Sequence, residues 1–254
     1  MTVEFLTAEF FILVAIGFAA QTIDGMLGMA FGAISTSAML ALGLPPAHAS
    51  AVVHTAEIFT TGASGASHLY HRNVDWRLVV RLGIAGVFGA ILGAWILSNV
   101  DASAARPYIA IYLLCIGLFI LLKAWQRAPL RTAPAAWTSP VGFFAGFLDA
   151  SGGGGFGPVA TSTLVGSGHA PRQAVGSVNL SEFFVTIAAA TTFFVELGVA
   201  PWKELIGLVI GGLIAAPFGG WAVKQVPSRV LMSAVGVIVI TLAAWQLARS
   251  FALV

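Results

Sequence analysis

The chain has 254 residues, of which 58% are hydrophobic and only 9% charged, with a mean hydropathy of +0.94. A soluble domain carries about 25% charged residues, so this composition excludes a soluble enzyme and leaves no stretch for a separate soluble domain. It describes an all-α, polytopic membrane protein, and a net charge of +2 reads as loop bias rather than as a nucleic-acid surface.

In chain order, the amino terminus MTVEFLTAEFF carries Glu4 and Glu9 but no basic residue, so the first apolar stretch is expected to be a retained membrane segment rather than a signal peptide. Apolar segments follow over 10–23, 30–43, 47–66, 78–98 and 106–123, then 138–148, 156–167, 172–194, 203–223 and 229–248. A full span needs about 20 residues. Segments 10–23 and 30–43, like 138–148 and 156–167, fall short, so each pair is expected to be two short or half helices meeting at a break. The breaks are GMLGMAFG over 25–32 and SGGGGFGP over 151–158. Trp76, Trp125, Trp137, Trp202 and Trp245 lie near segment ends, as interfacial anchors do. The lone Cys115 can form no intramolecular disulfide.

The chain is internally repeated. At an offset of 125, residues 24–61 align with 149–186 without a gap, and 13 of 38 positions are identical. Unrelated segments of this composition agree at roughly a tenth of positions, so the match marks a duplication. The identities include Asp24/Asp149, Gly28/Gly153, Phe31/Phe156, Gly32/Gly157, Thr36/Thr161, Ser37/Ser162, Pro46/Pro171 and Glu57/Glu182. Trp76/Trp202 and Trp125/Trp245 extend it downstream. We therefore expect two repeats of about five helical segments, 1–127 and 137–254, joined by a cytoplasmic linker over 128–136.

Basic residues predict how the repeats are oriented. With one helical hairpin and three spans per repeat and the amino terminus outside, the inner side receives Arg72, Arg77, Arg81, Lys123, Arg127, Arg131, Arg172, Lys224 and Arg229. The outer side receives Arg106, Lys203 and Arg249. Nine against three favours inverted topology; two repeats pointing the same way would divide the basic residues between the faces.

Asp24, Glu57, Asp149 and Glu182 lie in apolar segments without Lys or Arg. A charged carboxylate at a helix centre costs roughly 2.5–3.5 kcal/mol on insertion scales, so such residues line a polar path or hold a proton. Two readings stay open for the aspartates: they contribute to a binding site, or they cap the broken helices. His54/Glu57 and Asn179/Glu182 are i, i+3 neighbours, so each pair shares a helix face and is expected to act together in proton coupling. At the breaks, glycine allows close approach, and a half-helix N-terminus offers free N–H groups and a positive dipole end. Two such termini can hold a small anion without Lys or Arg. The expected binding set is Asp24, Gly25, Gly28, Thr36 and Ser37 with Asp149, Ser151, Gly152, Gly153, Gly154, Thr161 and Ser162. GGGGFG lacks the Walker lysine and its strand–loop–helix context, and no metal or cofactor motif is read.

The stretches QTIDGMLGMAFG, FLDASGGGGFGPV and AVGSVNLSEFF resemble the signature of the TauE/SafE family, also called the 4-toluene sulfonate uptake permease family, and the likeness covers essentially the full chain. The resemblance implies an inner-membrane secondary carrier of small sulfur-containing or organic anions, with 24–32 and 149–157 as site-forming loops. The first half departs from the second at Met26, Met29 and Ala30, which stand where Ser151, Gly154 and Gly155 do, and at His54, which stands where Asn179 does.

The expected function is a proton-linked anion carrier working by alternating access, with a small anion and the lipid bilayer as partners, no nucleic acid, no cofactor and a homodimer left open. A sodium- or cation-coupled carrier, a passive channel and an intramembrane aspartyl protease using Asp24 and Asp149 are the alternatives.

Overall fold

A computed structural model describes residues 7–126, 137–198, 201–222 and 228–251, with side chains at 218–222, 228 and 231 left aside. The linker call at 128–136 lies outside the described residues, as do Glu4, Arg127, Arg131 and Lys224. The described residues are helical: α1 Ala8–Leu27, α2 Phe31–Ala41, α3 Pro46–Tyr70, α4 Trp76–Asn99, α5 Ala102–Trp125, α6 Thr138–Gly152, α7 Phe156–Gly166, α8 Pro171–Leu197, α9 Trp202–Ala222 and α10 Ser228–Ser250. Helices α1, α4, α5, α8 and the 232–250 stretch of α10 are long and apolar enough to cross a membrane. Large apolar side chains such as Phe11, Ile84, Phe88, Leu122 and Phe144 are exposed, as lipid contact requires, and the five anchoring tryptophans are exposed near helix ends.

One expectation is corrected. Segment 10–23 appeared too short to span, but α1 continues through Asp24 to Leu27 and reaches 20 residues. The charge at Asp24 and the glycines around it interrupt the apolar run without interrupting the helix. Helices α2, α6 and α7 are short, at 11, 15 and 11 residues. Proline opens both α3 and α8, where a missing N–H costs nothing. Asp75 and Asp101 cap α4 and α5 through the N–H groups of Arg77 (2.8 Å) and Ser103 (2.9 Å). The Ser103 hydroxyl beside Asp101 holds its carboxyl below the usual carboxylate range.

Glycine seams set helix directions. Helices α1 and α9 run parallel, with Gly207 against Leu13 and Gly211 against Phe18, and so do α4 and α6, with Leu82 against Gly142 and Gly86 against Gly146. Equivalent helices of the two halves pair antiparallel. Gly62 meets Phe183 while Gly65 meets Leu180 across α3 and α8, and Gly117 meets Ile240 while Leu121 meets Gly236 across α5 and α10. Exchanging the halves therefore maps α1·α9 onto α6·α4 and maps α3·α8 and α5·α10 onto themselves.

The loops fall on two faces. One carries the Lys203–Glu9 pair (2.7 Å), the Arg106 bond to the Gly43 carbonyl (3.1 Å) and the Asn99–Glu196 contact (3.4 Å). The other joins the 71–75 loop to the start of α8, where the Asp75 N–H donates to Ser177 Oγ (2.9 Å) and the Asn73 carbonyl lies against Gly176.

The seams carry an expected result. A Cβ at Gly146 would overlap the Gly86 carbonyl, and one at Gly89 the Phe143 carbonyl. Gly146→Ala and Gly89→Ala should each lower stability by about 1–3 kcal/mol through helix displacement. The thermal midpoint in detergent reads this; an unchanged midpoint in both would mean that α4 and α6 do not pack in this register.

Candidate functional site: two helix breaks joined in the core

The chain leaves α1 at Gly28 (φ 64°), whose N–H donates to the Asp24 carbonyl, and leaves α6 at Gly153 (φ 74°), whose N–H donates to the Asp149 carbonyl. Both glycines adopt the left-handed conformation that only glycine takes without strain. Two or three residues later a new helix starts, and its first amides have no partner within it. The aspartates supply one. Asp24 Oδ1 accepts from the N–H groups of Ala30 (2.8 Å) and Phe31 (3.3 Å), and Asp149 Oδ1 accepts from Gly155 N–H (2.8 Å). The capping reading of the aspartates is thus realised in both halves. The aspartates thus take the Ala30, Phe31 and Gly155 N–H groups, while the next amides into α2 and α7 precede the first intrahelical bonds.

The breaks lie against each other. Thr161 Oγ1 donates to the Gly28 carbonyl (2.9 Å), and the equivalent Thr36 packs on Gly153. A Cβ at Gly157 would stand 2.5 Å from the Gly28 carbonyl oxygen, and one at Gly32 would stand 3.0 Å from Gly154 Cα and 3.1 Å from Glu57 Oε1. Between them remains a cleft of about 10 Å³, lined by Asp24, Gly32, Ala33, Asp149, Gly157 and Glu182 among others. That is room for about one water.

His54 and Glu57 reach this junction from α3. They lie in one cluster with Asp149, a ligand atom of each within 4.8 Å of the others, and His54 Nε2 is 3.2 Å from Asp149 Oδ2, across the boundary between halves. Its Nδ1 lies 2.8 Å from the Ser50 carbonyl, and Ser50 Oγ donates to the Ala150 carbonyl (3.0 Å), binding α3 to the end of α6. Asn179 likewise bonds Val175 of its own helix (3.2 Å) and faces Gly28, rather than pairing with Glu182. His54, Glu57, Asp149 and Glu182 are all almost fully buried. Buried polar atoms nearly always have partners, yet Asp24 Oδ2, Glu57 Oε2, Glu182 Oε2, Asn179 Oδ1, Thr36 Oγ1 and Ser37 Oγ have none among the described residues.

The remaining expected residues divide. Gly25 is buried in the last turn of α1, and Gly154 lines the cleft. Ser151 bonds the Phe147 carbonyl of its own helix (2.6 Å), Gly152 lies under the Tyr112 ring, and Ser162 is half-buried on α7; none of these three lines the cleft. No hydrogen bond joins Asp24 to Asp149 among the described residues, the contact a protease dyad needs.

Sequence reasoning missed Tyr112, whose hydroxyl donates to the Gly154 carbonyl (2.9 Å), Gln246, whose amide donates to the Ser37 carbonyl (2.9 Å), and Gln21, fully buried one turn before Asp24 with no partner for either amide atom among the described residues. Each is a neutral polar residue in an apolar segment, a signal that a search for acids passes over.

A second cavity, about 310 Å³, opens between α3, α8 and α9 and is lined by Ala51, Thr55, Phe193, Phe194, Trp202 and Leu205. Its Phe193 ring lies 5.9 Å from the His54 ring, so one aromatic layer separates this cavity from the buried cluster.

A bundle of apolar helices interrupted at two matched, acid-bearing breaks in its core defines a multi-pass membrane transporter. The model of the family described as "Sulfite exporter TauE/SafE" matches residues 13–246, and the chain belongs to that family. It is 42% identical over 233 residues to the probable membrane transporter protein YtnM of Bacillus subtilis, covering 87% of this chain and 77% of that one. It is 27% identical over 217 residues to a probable membrane transporter protein of Haemophilus influenzae, covering 82% of each, and 28% identical over 220 residues to the probable membrane transporter protein YfcA of Escherichia coli K12, covering 83% and 77%. No solved structure matches the chain.

Proposed function

We propose that this protein is a proton-linked secondary carrier of small sulfur-containing or organic anions, such as sulfite or organosulfonates, working by alternating access in the plasma (inner) membrane. The observation that carries the reading is the meeting of the two helix breaks in the buried core, each bringing an aspartate and a glutamate from its own half. Beyond the aspartate caps, the amides of Gly32, Ala33 and Gly157 still precede the first intrahelical bonds and line the cleft, so they can receive an anion once the halves part. Four buried acids repel an anion unless some carry protons when it binds, and that condition links the two fluxes.

The antiparallel pairing of α3 with α8 and of α5 with α10 supports inverted repeats, because a two-fold relating antiparallel membrane-crossing helices lies in the membrane plane. The face bearing Arg72, Arg77 and Arg172 is then cytoplasmic, and the face of the Glu9–Lys203 pair, with the amino terminus, lies outside. The 310 Å³ cavity opens near Trp202, towards that outer face, while the contacts of Asn73 with Gly176 and of Asp75 with Ser177 close the inner one. At the positions equivalent to Gly176 and Ser177 the first half has Ala51 and Val52, which offer neither the close approach nor the hydroxyl. Unequal gates of this kind favour an inward-closed resting form.

The test is a thermal-stabilisation screen of purified protein against sulfite, sulfate, taurine, other sulfonates and carboxylates at two pH values. A sulfur oxyanion or sulfonate should raise the midpoint, and more at the pH where the acids carry more protons. Stabilisation by sodium that ignores pH would replace this reading with a sodium-coupled one. In liposomes, Glu182→Gln should keep the fold and abolish the pH dependence of flux, since Glu182 lines the cleft with an unpaired buried oxygen. A wild-type pH profile in that variant removes Glu182 from coupling.

A further inference from the structure

We propose that His54, Glu57 and Asp149 form a binding site for one divalent transition cation of the Zn²⁺ class, shared between the two halves. One ligand atom from each lies within 4.8 Å of the others, and all three residues are at most 1% exposed.

The tautomer of His54 carries the first part of the argument. Its Nδ1 points at the Ser50 carbonyl from 2.8 Å, and a carbonyl can only accept, so Nδ1 bears the proton and donates. Neutral imidazole then has a bare lone pair at Nε2, and that atom faces a carboxylate oxygen, Asp149 Oδ2, at 3.2 Å. Two acceptors at that distance need a positive centre between them. Anchoring one ring nitrogen on a backbone carbonyl while freeing the other is how metal-ligating histidines are held. Zinc bonds to nitrogen and oxygen of about 2.0–2.2 Å in a tetrahedron put ligand atoms about 3.4 Å apart, close to the 3.2 Å between His54 Nε2 and Asp149 Oδ2, with Glu57 within 4.8 Å.

Glu57 supplies the second, independent part. Its Oε2 is buried without a partner among the described residues, one helical turn from His54 on the same face. A proton between His54 and Asp149 does nothing for the Glu57 carboxylate; a cation takes one of its oxygens as third ligand. Two carboxylates and a neutral imidazole sum to a charge of −2, which a divalent ion cancels, and the imidazole selects a borderline metal over Na⁺ or Mg²⁺. Three protein ligands leave one position open. A cation here joins α3 to the end of α6 and sets a positive centre beside the cleft, among the acids that otherwise repel an anion.

The experiment uses full-length, chelator-washed protein in detergent, titrated with Zn²⁺ by calorimetry and with Co²⁺ by visible absorption. One ion per chain is expected, with a Kd of about 10 µM or tighter. His54→Asn, which places at 54 the residue that occupies the equivalent position 179, and Glu57→Gln should each weaken binding by about tenfold or more. His68→Ala/His71→Ala, near the loop on the opposite side, should leave it unchanged. Absence of binding at millimolar Co²⁺, or undiminished affinity in both site variants, overturns the proposal in favour of a proton alone. Should the site variants fail to fold, X-ray absorption of the Zn²⁺-loaded wild type decides: a nitrogen/oxygen shell with a single imidazole supports the site, and several imidazoles or none refute it.

Discussion

Asp149→Ala is expected to cost roughly 3–5 kcal/mol, enough to remove most folded protein from detergent extracts. The residue serves two buried groups at once: Oδ1 accepts the Gly155 N–H at the start of α7, and Oδ2 faces His54 Nε2. Alanine leaves the Gly155 N–H without its acceptor and His54 Nε2 without the carboxylate that shares a proton or cation with it, in a core that excludes water, and an unpaired buried group costs its full desolvation penalty. Asparagine separates the two roles. Its side-chain oxygen keeps the cap, so Asp149→Asn should fold and lose only the charge facing His54. Asp24→Asn should be milder still, because Asp24 Oδ2 has no partner to lose among the described residues. Thermal midpoints of the three variants, read by fluorescence-detected size exclusion, should rank Asp24→Asn highest and Asp149→Ala lowest. Equal midpoints for Asp149→Ala and the wild type would show that the carboxylate does not hold the break.

This ranking depends on a partnership the sequence does not disclose. Asp24, Asp149 and the glycines after them are legible because the duplication repeats them at one offset, and their burial follows from the apolar runs around them. The capping geometry follows from local chemistry, since a break leaves amides unpaired and an acid one turn earlier can reach them. His54 is different. Helical spacing brings it close to Glu57, but its Nε2 faces Asp149, 95 positions away, and only the packing of α3 against α6 brings the two together. Tyr112 and Gln246 escape notice for the same reason, because each meets a backbone carbonyl from elsewhere in the chain, Gly154 in the second break and Ser37 in α2. Helix α1 outruns its apolar segment because an apolar run ends at a polar residue, whereas a helix ends where its backbone turns, here at the positive φ of Gly28.

Gly157→Val is expected to be at least as damaging as loss of the aspartate cap, for a purely steric reason. The backbone there is not left-handed, so valine brings no conformational strain of its own. Its Cβ, however, would stand 2.5 Å from both the Gly28 carbonyl oxygen and Met29 Cα, and backbone atoms inside another helix break cannot rotate away as a side chain can. The halves must separate, breaking the Thr161 bond to Gly28 and opening the apolar core beside it. A cost of roughly 3 kcal/mol or more follows, with loss of any ligand response in the protein that remains folded. Gly166, nine residues along the same helix, provides the control. A Cβ there meets nothing within 4 Å and its φ is not positive, so Gly166→Ala should be neutral or stabilise by up to about 1 kcal/mol through a less flexible unfolded chain. Two glycines of α7 thus separate general helix effects from contact between the breaks. If Gly157→Val matched Gly166→Ala in midpoint and ligand response, the two breaks would not touch, and a binding centre built from both halves would have no physical basis.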